Sequence, residues 1–87
     1  MKVQGAVIKE QGVTFAIVVV KKKHVVDSTG QSEDAMVAFA PLFPGMPIVL
    51  MGQDPRGIPK YRGRKDIVNF LANIHPAQIP WKEYTFH

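Results

Sequence analysis

The most constraining feature of this sequence is the run Val13–Val20, in which every side chain after Thr14 is apolar. Its β-branched residues pack well on a pleated sheet and lose side-chain freedom in a helix, so the run predicts a strand. Because successive side chains of a strand point to opposite faces, both faces of this strand are apolar. Such a strand is either central and covered on both sides, or it offers its outer face to another copy of the chain.

The rest of the chain predicts two hairpins, each followed by a helix. Gly12 suits a tight turn after the first strand, because glycine accepts a positive φ without steric cost. Ser28 and Gln31 have the spacing of a capping box, which predicts a helix that ends at Phe39 or Ala40, before Pro41. The sequence therefore predicts strands at residues 2–9, 13–20, 47–52 and 58–62, and helices at residues 29–40 and 65–74.

The order of these elements predicts the fold class. Hairpin strands pair antiparallel, and helices that follow hairpins tend to gather on one side of a sheet. We therefore expect a single α+β domain over residues 1–87, with a four-stranded, mainly antiparallel sheet in the order ββαββα and two helices on one face. Pro59 cannot donate to a central ladder, so the fourth strand is expected to be short or to lie at an edge.

The C-terminal tail is expected to be ordered. It carries Ile79, Trp81, Tyr84 and Phe86, and a segment this apolar packs on the domain or on a partner. Whether the tail adds a fifth strand is left open by the sequence.

An apolar sheet face without a helix on it favours self-association. The side chains expected between two copies of the chain are those of Val18, Val20, Trp81 and Tyr84. On this interpretation the chain is a non-catalytic interaction module that forms a homodimer through an apolar sheet face.

Several classes of chemistry are not indicated. The chain has no cysteine, which excludes disulfides and thiolate metal sites. Its histidines, at positions 24, 75 and 87, lack the spacing of a metal-binding pair, so we predict no metal and no cofactor. No serine lies in a hydrolase elbow, so the sequence gives no positive sign of an enzyme but leaves the question open. The longest apolar run is too short to span a membrane, and no signal peptide is evident, so we expect a cytoplasmic protein without a membrane partner.

The remaining positive signal is a basic segment in the second half of the chain. Five cationic side chains and one tyrosine fall within ten residues that contain no acid, namely Arg56, Lys60, Tyr61, Arg62, Arg64 and Lys65. Guanidinium groups suit phosphates because they donate in a planar fork, and a tyrosine can stack on a base. The competing interpretation is a solvated edge strand, where cations discourage strand-to-strand aggregation.

Three functions of different classes therefore compete. The self-associating interaction module is our first expectation. The alternative is a protein that binds nucleic acid or another anionic ligand through the basic segment. The third is a small enzyme or ligand-binding domain with a pocket between the sheet and the tail, which would require a concave site with convergent polar groups.

Overall fold

The structure is a computed structural model, and it describes residues 2–10, 12–20, 29–53 and 56–85. The predicted capping residue Ser28 lies outside these ranges. The elements, in chain order, are strands β1 (Lys2–Glu10) and β2 (Val13–Val19), helix α1 (Thr29–Phe39), strands β3 (Ile48–Gln53) and β4 (Pro59–Arg62), helix α2 (Lys65–Leu71) and strand β5 (Lys82–Thr85). Short 3-10 turns follow α1 at Ala40–Leu42 and precede β5 at Pro76–Gln78.

The strands form one five-stranded mixed sheet in the order β4-β3-β2-β1-β5. The β2–β3 pair is parallel, and the β1–β2, β3–β4 and β1–β5 pairs are antiparallel. The predicted four-stranded sheet in the order ββαββα is therefore wrong. The tail supplies the fifth strand, which pairs with β1 from Lys2↔Thr85 to Gly5↔Lys82.

The parallel pair arises from the path through α1. A chain that leaves a strand, forms a helix and returns to pair alongside that strand completes a crossover, and a crossover makes the two strands parallel. Backbone hydrogen bonds tie the neighbouring strands together at both ends, from Ala16 N–H to the Pro47 carbonyl at 2.9 Å and from Val20 N–H to the Met51 carbonyl at 2.8 Å. Strand β2 is thereby placed at the centre of the sheet.

One face of the sheet packs against α2 and the segment that precedes β5. Ile17 of β2 pairs with Ala6 of β1 on one side and with Val49 of β3 on the other, so all three side chains lie on this face. The buried side chains of this cluster are Ala6, Phe15, Ile17, Val49, Met51, Ile67, Leu71 and Ile79. We call this side of the sheet the α2 face.

The opposite face packs against α1 and the chain that follows it. Its buried side chains are Val3, Ala16, Val18, Phe43 and Leu50. Met36 and Phe39 of α1 pack against this cluster, and the ring of Phe43 meets that of Tyr84 edge to face, with 5.0 Å between centroids. We call this side the α1 face. The two helices therefore lie on opposite faces, which corrects the prediction that both lie on one.

Strand β2 is thus covered on both sides by its own chain. Ala16, Ile17 and Val18 are each 0% exposed. Of the two explanations for an all-apolar strand, the structure shows the first, a central strand between two layers of cover. The sheet has five strands, and in the described ranges one helix covers each face, so the fold has an α/β/α layering.

Candidate functional site

The basic segment follows the outer strand of the sheet. β4 is an edge strand in the described part of the chain, as Pro59 predicts, and it pairs with β3 alone. Lys60 lies opposite Gly52 and Arg62 lies opposite Leu50. Lys60 is exposed and Arg62 is half-buried, while Arg56 is exposed in the loop just before the strand. We call Arg56, Lys60 and Arg62 the basic edge.

Alternation along β4 places Lys60 and Arg62 on the same face of the sheet. Residues directly opposite in an antiparallel pair share a face, and Leu50 belongs to the cluster of the α1 face. Both cationic side chains therefore lie on the α1 face at the β4 edge.

Tyr61 lies on the other side of the strand. It pairs with Met51, and its half-buried ring packs against the cluster of the α2 face. Its hydroxyl is buried and meets no hydrogen-bond partner in the described structure. Burial raises the pKa of the Tyr61 phenol above its ordinary value of 10.0. A tyrosine that stacks on a base would have to lie beside Lys60 and Arg62, which would hold the phosphates. The structure instead places the Tyr61 ring on the opposite face.

Removing the Tyr61 hydroxyl is expected to stabilise the fold. Tyr61→Phe deletes a buried polar group without a partner, and we expect the free energy of unfolding to rise by about 1 kcal/mol at neutral pH. Since the folded-state pKa lies above the unfolded value, the unfolded chain loses its proton first, and stability falls as the pH rises above 10.0. Tyr61→Phe should lessen this alkaline loss. Urea unfolding at about pH 7 and about pH 10.5 measures both effects.

Tyr84→Phe is the matched control for this experiment, because it removes the chain's other phenol. If Tyr61→Phe were less stable than the parent chain at neutral pH, the hydroxyl would have a partner that stabilises the fold.

Arg64 and Lys65 lie beyond the end of β4. The Arg64 guanidinium forms a bidentate ion pair with the Asp66 carboxylate, in which Nε donates to Oδ1 at 2.8 Å and Nη2 donates to Oδ2 at 2.6 Å. This pair raises the pKa of Arg64 and lowers that of Asp66, in each case chiefly through the hydrogen bonds. Two of the N–H donors of Arg64 are therefore used within the chain. Lys65 is exposed as the first residue of α2.

The residues predicted for self-association are packed within one chain. Val18 is completely buried on the α1 face, and Val20 is half-buried beside it. Trp81 is half-buried, and its Nε1 donates to the Pro76 carbonyl at 3.0 Å. Tyr84 packs against Phe43. Homodimer formation stays a prediction, but the apolar face that motivated it is covered here by the chain's own α1 and Phe43.

The sequence did not predict a groove that lies between the β1–β2 hairpin and α2. It has a volume of about 520 Å³, within the range of small-molecule sites. The side chains that line it are those of Glu10, Val13, Phe15, Asp66, Ile67, Asn69, Phe70 and Asn73. We call it the hairpin groove. It is separate from the pocket between sheet and tail that a ligand-binding domain was expected to have.

A signal for part of this groove is present in the sequence. Residues three and four apart lie on one face of a helix, so Asp66, Asn69 and Asn73 predict a polar stripe beside the apolar one. Glu10, at the end of β1, lines the same groove as these residues, and this long-range proximity has no local sequence signal.

Neither the described residues nor known proteins add a further indication of function. Among the described residues, no three histidine or acidic side chains gather as metal ligands. No helix in the described ranges has the length and apolar character needed to cross a membrane. The predicted cytoplasmic location stays a prediction. A scan against family models and searches of curated proteins and solved structures find no match to this chain.

Proposed function

We propose that this chain is a non-catalytic module that binds nucleic acid along the basic edge. The observation that carries the proposal is the position of Lys60 and Arg62, two cations on one face of an edge strand, with Arg56 in the loop that leads into it. Lysine and arginine bind the phosphate backbone without reading the sequence, so we expect binding that tolerates many sequences.

The surroundings of the basic edge support this choice of ligand. No acidic residue occurs between Arg56 and Lys65 in the sequence, and the net charge of the chain is +4. An extended strand advances about 3.3 Å per residue, so Lys60 and Arg62 stand about 7 Å apart along β4. This is close to the spacing of successive phosphates in an extended single strand, which makes a single-stranded ligand the better fit.

The arrangement also suits the simpler role of protecting the edge. Cations on an outer strand keep other strands from pairing with it, and this role requires no ligand. The two interpretations differ in one measurable property, since only the binding interpretation predicts that a polyanion recognises this edge in preference to other cationic positions.

Charge reversal at Lys60 is expected to weaken binding more than the same change elsewhere. Lys82 is exposed on β5, at the opposite edge of the sheet, so Lys82→Glu changes the net charge by the same amount far from β4. We expect Lys60→Glu to weaken binding about tenfold and Lys82→Glu about twofold or less. Fluorescence anisotropy with a labelled single-stranded RNA of mixed sequence, and with its DNA equivalent, measures the difference.

Salt dependence provides a second readout of the same binding. Three phosphate contacts on a single strand give a slope of about −2 in log affinity against log salt, which is a loss of about 20-fold in affinity between 50 and 200 mM salt.

Equal weakening of binding by Lys60→Glu and Lys82→Glu would show a general attraction of the polyanion to a basic protein. An absence of binding at 50 mM salt would contradict the proposal.

A further inference from the structure

The polar side chains that line the hairpin groove are two carboxylates and two amides. Asn73 donates one Nδ2 hydrogen to the Asn69 backbone carbonyl at 2.8 Å, which leaves its side-chain oxygen and its second Nδ2 hydrogen for other partners. Glu10 contributes a carboxylate, which in its ionised form accepts hydrogen bonds and donates none. Asp66 contributes a second carboxylate, and both its oxygens accept from Arg64. A ligand that contacts the two carboxylates must supply donors.

The charges of the groove favour a cation. Arg64 balances the charge of Asp66 through two short hydrogen bonds. Neither of the ion pairs Lys2–Glu83 and Arg64–Asp66 involves Glu10, whose carboxylate adds a negative charge to the groove of a protein whose net charge is +4. An ammonium group donates three hydrogen bonds and accepts none, which matches a carboxylate beside an amide oxygen.

The remaining lining is apolar and suits an alkyl chain. Val13 and Phe70 are half-buried and present the apolar surface, and they are backed by Phe15 and Ile67, which are 1% and 4% exposed. The rings of Phe15 and Phe70 meet edge to face, with 6.4 Å between their centroids. Apolar walls with a few oriented polar groups are the usual composition of a small-molecule site.

We propose that the hairpin groove binds a small organic cation, a primary alkylammonium whose charged group contacts Glu10 and the Asn73 side-chain oxygen while its alkyl chain lies on Val13 and Phe70. The groove lies on the α2 face, whereas Lys60 and Arg62 lie on the α1 face. The inference is therefore independent of nucleic-acid binding.

An amide-shift titration with two matched probes tests the charge requirement. Butylammonium and butyrate share a four-carbon skeleton and differ in the sign of their charge. Butylammonium is expected to shift the amide signals of Val13, Asn69, Phe70 and Asn73 in a saturable way, with a dissociation constant in the millimolar range, as its few heavy atoms allow. Butyrate is expected to leave them unchanged. Equal shifts with both probes, or none with butylammonium, would overturn the proposal.

Two charge-neutralising variants test the place of binding. Glu10→Gln is expected to weaken butylammonium binding about fivefold or more, because it removes the carboxylate but keeps the shape of the side chain. Glu33→Gln makes the same change on α1, where Glu33 is exposed on the other side of the sheet, and should leave binding unchanged. Asn73→Ala gives an independent check, with an expected loss of about threefold. Binding that is insensitive to Glu10→Gln, or equally sensitive to Glu33→Gln, would rule out this groove.

Discussion

Replacing Phe43 with alanine is expected to lower the free energy of unfolding by about 3–5 kcal/mol, the usual cost of removing a buried phenylalanine. The ring is 2% exposed and packs with Val18 and Leu50 in the cluster of the α1 face. It also contacts the Tyr84 ring, so its loss should loosen β5 as well. Urea unfolding followed by the fluorescence of Trp81, the chain's one tryptophan, measures the change.

The control for Phe43→Ala is Val37→Ala on α1. Val37 is 75% exposed, and its truncation should change the free energy of unfolding by less than about 0.5 kcal/mol. If Phe43→Ala does not fold, Phe43→Leu keeps most of the apolar volume and is expected to cost about 1 kcal/mol. A stable Phe43→Ala would mean that this residue does not cover the sheet, and the α1 face would again be free for another copy of the chain.

The second large effect is expected on the other face, where Leu71→Ala should cost about 2–5 kcal/mol. Leu71 is 0% exposed and lies with Ile17 and Val49 in the cluster of the α2 face. The range is wide because the cost depends on how far α2 can move to fill the cavity. The same urea experiment measures it.

Asn69→Ala on α2 is the control for Leu71→Ala, because Asn69 is exposed and its loss should change stability by less than about 0.5 kcal/mol. The pair Phe43→Ala and Leu71→Ala also tests the layering of the fold. A sheet covered on one side would lose stability through only one of these substitutions, whereas a sheet covered on both sides loses it through each.

Local patterns predicted most of the elements but not their pairing. The run Val13–Val20 predicted a strand with two apolar faces, and the structure places β2 at the centre of the sheet. The direction of β3 relative to β2 depends on the path of the chain through α1, which periodicity does not encode. We therefore expected mainly antiparallel pairing, whereas the structure joins β2 and β3 in parallel through a crossover.

The fifth strand was left open for a different reason. Lys82–Thr85 is short and mostly exposed, and only Tyr84 is half-buried. A strand of this kind forms because the backbone of β1 is available to pair with it. Its own residues therefore predict a strand only weakly.

The candidate site was predicted in part. Pro59 correctly indicated an edge or short strand, and the alternation of β4 accounts for the position of Tyr61 on the face opposite Lys60 and Arg62. The strand predicted at residues 58–62 already contains this alternation, which places Tyr61 on the face opposite its two neighbours. The hairpin groove depends on Glu10 lying across from a helix that is distant in sequence, and such proximity is fixed only by the tertiary fold.

The pairing of β1 with β5 has a practical consequence for work with this protein. Lys2 lies directly across from Thr85, so the two ends of the described chain are neighbours, separated by the width of one strand pair. A short linker could join them, and new ends could then be opened at Gly12, the exposed turn between β1 and β2. A label or immobilisation tag attached beside either Lys2 or Thr85 would leave the molecule from the edge opposite β4, and the basic edge would face the solution.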